Sequence, residues 1–245
     1  MQRRDATCAV IGAGDFIGAE IAKKFASEGF TVFAGRRDRA KLDPLVKEIE
    51  SAGGSIVPRA LDARKEDEVA AFLNDADQHA PLEICIFNIG ANVNFPILET
   101  TDRVFRKVWE MACWAGFLAG RESARLMLPR GKGNIFFTGA TASIRGGSGY
   151  AAFASAKFGL RGVAQAMARE LGPKNIHVAH LIIDSGVDTA WVRAQREQLW
   201  GKEAVDNPDL LMPPASVAAT YWQLYQQPRS AWTFELEIRP FGEKW

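Results

Sequence analysis

Short apolar runs alternate with longer segments of three-and-four spacing along the whole chain. The runs Thr7–Ile11, Thr31–Ala34, Ser55–Pro58, Glu83–Phe87, Ile135–Thr138, His177–Ile183 and Thr233–Ile238 have the length and apolarity of buried strands. Between them, Ile17, Ile21 and Phe25 share one helical stripe, Leu42, Leu45, Val46 and Ile49 a second, and Val69, Phe72 and Leu73 a third. A longer helix is predicted from Thr101 to Leu128, with Val104, Val108 and Met111 on one stripe. Gly29, Gly53-Gly54 and Gly172-Pro173 stand where helices should stop, and Pro213-Pro214 leads into a helix over Ala215–Gln226. Strand and helix in steady alternation predict an α/β architecture: a seven-stranded parallel sheet with crossover helices on both faces.

The 245 residues suit one such domain, and no repeat, low-complexity tract or linker divides them. Ala190 to Pro214 is the least regular stretch; its Trp191, Val192, Leu199, Trp200, Leu210, Leu211 and Met212 among scattered charges suggest a substrate lid over 190–214, with a packed surface excursion or an oligomer contact as the alternatives. Thirty Lys and Arg against 29 Asp and Glu leave a net charge of +1, which argues against nucleic acid as a partner. Cys8, Cys85 and Cys113 are sparse and far apart, with neither a disulfide framework nor zinc spacing, and suit a reducing cytosol. His79, His177 and His180 form no metal-ligand pattern and read as structural histidines. Arg3 and Arg4 precede a small apolar run, but Asp15 interrupts it and no membrane-length segment follows, so a cytoplasmic protein that keeps off membranes is expected.

Candidate chemistry begins at the end of the first strand. Gly12-Ala13-Gly14-Asp15-Phe16-Ile17-Gly18 runs directly into an amphipathic helix. A glycine turn at that place lets backbone N–H groups of a helix N-terminus face a pyrophosphate, which predicts a doubly wound Rossmann domain that binds a dinucleotide. Over nearly its whole length the chain resembles the short-chain dehydrogenase/reductase family. That family's loop is Gly-x-x-x-Gly-x-Gly; Gly12 and Gly18 fall on its outer positions, and Phe16 replaces the middle glycine. The resemblance implies that Asp62, in Leu61-Asp62-Ala63, meets the adenine amino group. It also implies that Asn88 and Gly90 line the cofactor, and that Val187 and Thr189 hold the nicotinamide carboxamide, although the Pro usual before them is absent from Ile183-Asp184-Ser185-Gly186. NAD-selective relatives carry an acid where this chain has Gly35, and Arg36 and Arg37 follow. A guanidinium fork suits a 2′-phosphate, so NADP(H) is expected over NAD(H).

The family's catalytic pattern is a Tyr with a Lys four residues later, a Ser thirteen residues before the Tyr, and an Asn on the preceding helix. Lys157 is present, but Phe153 stands at the Tyr position, Ala140 at the Ser position and Cys113 at the Asn position. Phenylalanine has no proton to give. Tyr150 lies seven residues before Lys157, and on a helix positions i, i+3 and i+7 share a face. That spacing resembles divergent enoyl-thioester reductases of the same superfamily and implies Tyr150 as proton donor or oxyanion stabiliser. Ser143 and Ser148 are the nearest hydroxyls on the loop that supplies the family's Ser; Ser143 is the candidate to bond a substrate oxygen, with a turn residue as its stronger alternative, and Thr138 and Thr141 are similar cases. The expected function is an oxidoreductase of a moderately apolar carbonyl or enoyl substrate; the alternative is a non-catalytic dinucleotide-binding relative, a redox sensor or partner subunit. The alternating strand Trp232–Ile238 and an aromatic tail with Phe241 and Trp245 imply, by the same resemblance, a homodimer or homotetramer.

Overall fold

The computed structural model describes residues 3–243. Its elements are β1 (Thr7–Ile11), α1 (Ile17–Ser27), β2 (Thr31–Arg36), α2 (Asp43–Ser51), β3 (Ser55–Ala60), α3 (Glu66–His79), β4 (Leu82–Phe87) and α4 (Asp102–Trp109). There follow α5 (Ala115–Met127), β5 (Gly133–Thr138), α6 (Ala151–Leu171), β6 (Ile176–Ile183), α7 (Ala190–Trp200), α8 (Glu203–Asp206), α9 (Pro214–Tyr225) and β7 (Glu235–Ile238). All seven strands join one parallel sheet in the order β3-β2-β1-β4-β5-β6-β7. It is the expected doubly wound sheet, and the order reverses between β1 and β4, where a crevice opens beyond the strand ends.

Strand alternation sorts the core into two layers. Cys8, Val10, Val32 and Ile84 pack under α1, α2 and α9, while Ala9, Ile11, Phe33 and Cys85 pack under α3, α5 and α6. A third cluster joins α4 to α6 through Val108, Cys113, Ala142 and Phe153. His177 stacks on Trp232 with ring centroids 4.9 Å apart and bonds the Thr233 carbonyl (2.9 Å), and Nδ1 of buried His180 lies 3.1 Å from Glu235.

Several predicted boundaries shift for identifiable reasons. β3 continues past Pro58 to Ala60 because it is the edge strand, where a missing N–H costs no ladder bond. β7 begins at Glu235 rather than Thr233, since the Thr233 amide and hydroxyl are both taken by the Gln227 side chain. The helix predicted from Thr101 to Leu128 is broken by a π-helical turn over Glu110–Trp114, which sets Cys113 against the bare backbone of Gly159.

The 190–214 stretch is ordered as α7, α8 and a 3-10 turn over Pro208–Leu210. Its base is pinned by a bridge between Val187 and Met212, and Arg193 clamps Asp188 through two hydrogen bonds of 2.5 and 2.7 Å. Leu211 and Met212 are buried, while Trp191, Leu199 and Trp200 are exposed. Phe241 stands almost fully in solvent, and Trp245 lies outside the described residues. Among the described residues no helix is long and apolar enough to cross a membrane.

Candidate active site

The crevice divides into two connected hollows that share Gly12, Gly14, Asn88 and Gly90. The larger, about 740 Å³, is lined by the glycine loop, the β5–α6 turn, the start of α6, and the segment after β6. The smaller, about 500 Å³, reaches from the glycine loop to the ends of β2 and β3 and includes Arg36, Arg37, Asp62 and Ala63.

Backbone packing explains the loop. Gly12 has φ +92°, and a Cβ there would stand 2.7 Å from the Asn88 carbonyl oxygen. A Cβ on Gly18 would stand 2.3 Å from the Gly12 oxygen, so the first turn of α1 presses directly on the loop. Gly14, by contrast, faces open space. Among the described residues the amides of Asp15, Phe16, Ile17 and Gly18 have no backbone acceptor. Free amides over an open cradle at a helix start fit an anionic pyrophosphate. Phe16 precedes α1 with φ −117° and ψ −102°, and its ring, 43% exposed, forms part of the cleft wall beside the cradle.

The deep wall belongs to Lys157. It is 2% exposed, and its Nζ donates to the carbonyls of Thr138 (2.8 Å) and Ile89 (3.2 Å). Among the described residues no carboxylate balances it, and burial lowers its pKa to about 8. Thr138 Oγ1 donates to Asn88 Oδ1 (3.0 Å) and lies 2.7 Å from the hydroxyl of fully buried Tyr221, while Asn88 Nδ2 donates to the Gly12 carbonyl (3.2 Å). This chain of bonds ties the lysine wall to the glycine loop. Phe153 and Tyr150 line the same cleft, and Lys157 Nζ is 5.9 Å from the Phe153 ring centre.

A profile of the short chain dehydrogenase family matches residues 6–200 of this chain. The chain belongs to the short-chain dehydrogenase/reductase family. A crystal structure of a short-chain dehydrogenase from Rhodopseudomonas palustris is 73% identical, covers 97% of this chain and 100% of that one, and superposes with a TM-score of 0.85. An actinorhodin polyketide ketoreductase variant with NADPH shares the fold at 24% identity, with a TM-score of 0.88 and 98% of each chain covered. The NADPH-dependent 1-acyldihydroxyacetone phosphate reductase of Saccharomyces cerevisiae is 27% identical over 177 residues. That match takes in 71% of this chain but only 58% of the yeast protein's length.

Phe153, Ala140 and Cys113 hold the positions that the family resemblance gives to a Tyr, a Ser and an Asn. Tyr150 does not sit inside a helix, as the i, i+3, i+7 argument expects. It is the residue before α6 (φ −104°, ψ +21°), and its carbonyl accepts the first helical bond from Ala154 at 2.7 Å. Its phenol still faces the cleft lined by Lys157 and has no hydrogen-bond partner among the described residues. Ser143 stands apart from the cleft. It is fully buried, is not part of the cleft lining, and its Oγ accepts from the Ala140 amide (3.1 Å), so it shapes the turn rather than offering a hydroxyl. Cys113 is buried outside the cleft, and burial raises its thiol pKa.

The smaller hollow also holds pairings that residue order did not suggest. Arg36 is held by Asp15 (2.6 Å) and by the Lys41 carbonyl, leaving Arg37 as the exposed guanidinium. Asp62 is gripped by Arg64 through bonds of 2.8 and 2.6 Å, which hold its carboxyl down at about 2. Gly90, Val187 and Thr189 line the larger hollow. Thr189 also caps α7 by accepting from the Val192 amide at 3.1 Å.

Sequence reasoning missed two features. Asp184, in the place of the usual Pro, is a buried carboxylate on the cleft, held by Thr141 Oγ1 (2.5 Å) and Arg239 (2.8 Å). The signal was available: an acid ending the apolar run Ile182-Ile183 requires a cation, and Arg239 ends the neighbouring strand. Ala91, just after Gly90, has φ +134°, a strained setting for a residue with a Cβ, and nothing in the sequence announced it.

Proposed function

We propose that the protein is an NADP(H)-dependent oxidoreductase of a moderately apolar carbonyl or enoyl substrate, working with a displaced Tyr150 and Lys157. The observation that carries the proposal is a cleft that joins an open glycine cradle to a buried, carboxylate-free lysine and an unpartnered tyrosine. In this reading Gly12, Gly14, Asp15, Phe16, Ile17 and Gly18 surround the pyrophosphate. Arg36 and Arg37 receive the 2′-phosphate, and Asp62 and Ala63 receive the adenine. Asn88, Gly90 and Lys157 meet the nicotinamide riboside, with Val187 and Thr189 at the carboxamide. When bound, the nicotinamide supplies hydride chemistry.

The chain's own residues supply proton handling and position. Lys157 uses two of its three N–H bonds on the Thr138 and Ile89 carbonyls, leaving one donor for a ligand. Its positive charge, little screened at this depth, favours negative charge developing on a substrate oxygen. Tyr150 donates its phenolic proton to that oxygen. Ser143 takes a positioning part by holding the Ala140 amide, and Phe153, Val187 and Trp200 provide apolar wall. The α7–α8 excursion would act as the lid.

The name of the yeast relative supports NADPH, as does the exposed Arg37. Calorimetric titration is expected to give micromolar NADPH binding with NADH weaker. Arg37→Glu should cut the NADPH preference by at least about tenfold, the cost of setting a carboxylate against a phosphate dianion. Unchanged selectivity in that variant would remove Arg37 from the phosphate site.

Tyr150→Phe should lower turnover by on the order of 10²-fold while leaving NADPH affinity unchanged. Full turnover in Tyr150→Phe would exclude the phenol as proton donor. The substitutions Phe153, Ala140 and Cys113 favour a second reading, a dinucleotide-binding sensor without chemistry. It predicts tight NADPH binding with no hydride transfer across a panel of carbonyl and enoyl compounds.

A further inference from the structure

We infer that the substrate of this cleft carries a carboxylate, and that Arg145 receives it. The inference rests on the reading of the larger hollow as the substrate site and adds the substrate's charge to it.

Three carboxylates face the hollow, and each has a close cation. Asp15 pairs with Arg36 at 2.6 Å, Glu243 with Arg196 at 3.2 Å, and Asp184 with Arg239 at 2.8 Å. The second oxygen of Asp184 is taken by the Thr141 hydroxyl, and Arg239 also holds Glu237. Two other cations line the hollow. Lys157 is buried and held by carbonyls; Arg145 is different. Its nearest carboxylate oxygen, on Asp184, is 3.9 Å away, beyond hydrogen-bond length, and its side chain is 64% exposed. The backbone beneath it is fixed, because the Arg145 amide donates to the Thr141 carbonyl at 3.0 Å.

The guanidinium therefore stands at the cleft on an ordered turn, five residues before Tyr150, in a long ion pair with Asp184 and with no hydrogen bond to its planar donors among the described residues. Phe153, Val187 and Trp200 contribute apolar surface to the same hollow. A ligand that matches both has an apolar body ending in a planar anion, which an arginine fork binds through two parallel hydrogen bonds. A neutral substrate of the same shape would leave Arg145 unused.

The test is a matched pair, trans-cinnamate and its methyl ester, titrated by calorimetry into the protein with NADPH present. The acid is expected to bind at least about tenfold more tightly than the ester, the scale of one partly exposed charge-assisted contact. Arg145→Gln should weaken only the acid, bringing the two within about twofold, and Arg145→Lys should restore part of the difference because it keeps the charge but not the fork. An unchanged thermal unfolding midpoint in both variants checks that the fold is intact. Equal affinities in the wild-type protein, an acid preference that survives in Arg145→Gln, or no binding of either compound would each overturn the assignment. Failure of NADPH to bind would instead overturn the cofactor reading. The acid–ester comparison is then read on the free protein, whose Arg145 turn is the one described above.

Discussion

Replacing Lys157 by methionine is expected to lower turnover sharply and also to remove a rise in stability between pH 8 and 10. The two effects have one origin, the burial of an ammonium group with no carboxylate beside it. Burial disfavours the charged form and lowers the pKa from 10.5 to about 8. Below pH 8 the lysine is protonated in both the folded and the unfolded chain, and folding bears the full cost of burying the charge. Between the two values the unfolded chain binds more protons than the folded one, so stability rises with pH. Above the unfolded value the cost is gone. The displacement corresponds to roughly 3 kcal/mol across the whole window.

Lys157→Met lacks this dependence, but it also leaves the Thr138 and Ile89 carbonyls without their donor. The pH slope of the difference between the two proteins is therefore the diagnostic quantity, not the offset at one pH. Urea midpoints measured from pH 7 to 10 should diverge in favour of the wild type as pH rises. Parallel profiles would mean that the ammonium is not buried without compensation. Turnover on any compound the wild-type protein reduces should fall by on the order of 10²–10⁴-fold if Lys157 has the charge-stabilising and nicotinamide-positioning part proposed for it.

The second large effect is expected at the glycine loop, where neighbouring glycines differ sharply in what they tolerate. A Cβ at position 18 would lie 2.3 Å from the Gly12 oxygen and 2.7 Å from the Ala13 Cα. Both are backbone atoms, so no side chain can swing aside. Gly18→Ala should push α1 away from the loop, cost about 1–3 kcal/mol, and weaken NADPH binding by on the order of 10²-fold. Gly14→Ala is the control, because nothing lies within 4 Å of its Cβ and its φ is not positive. It should leave stability within about 1 kcal/mol of wild type and lose affinity only by crowding the phosphate. Thermal unfolding and NADPH titration of both variants check this. Equal destabilisation by the two would show that contact with the Gly12 carbonyl does not limit the loop.

Much of this architecture is legible along the chain because the relevant physics is short in range. Alternation in β1 sends Cys8 and Val10 to one face and Ala9 and Ile11 to the other, as the pleat requires. The stripe Ile21, Ala22, Phe25 declares the buried face of α1 in the same way. The glycine turn after β1 could likewise be read without coordinates, since it depends on residue type at a fixed local spacing.

What the tertiary structure alone decided is which polar groups meet. Arg36 is answered by Asp15, 21 residues away, Thr141 by Asp184, 43 away, and Arg161 by Glu235, 74 away. The first two meet because the sheet order brings distant strand ends side by side, and Arg161 meets Glu235 because α6 packs on β6, next to β7. Asp62 with Arg64, only two residues apart, shows that nearness in sequence does not reveal such a pair either, since Arg64 could equally have faced solvent. The displacement of Tyr150 to the residue before α6 has the same character. Periodicity states which face a residue occupies once the helix is given, but where the helix begins is set by the Gly147–Tyr150 turn and its packing. Apolar burial is additive and nearly directionless, so a one-dimensional pattern suffices to prescribe it. Hydrogen bonds and ion pairs depend on distance and angle, and those are fixed only after the chain has folded.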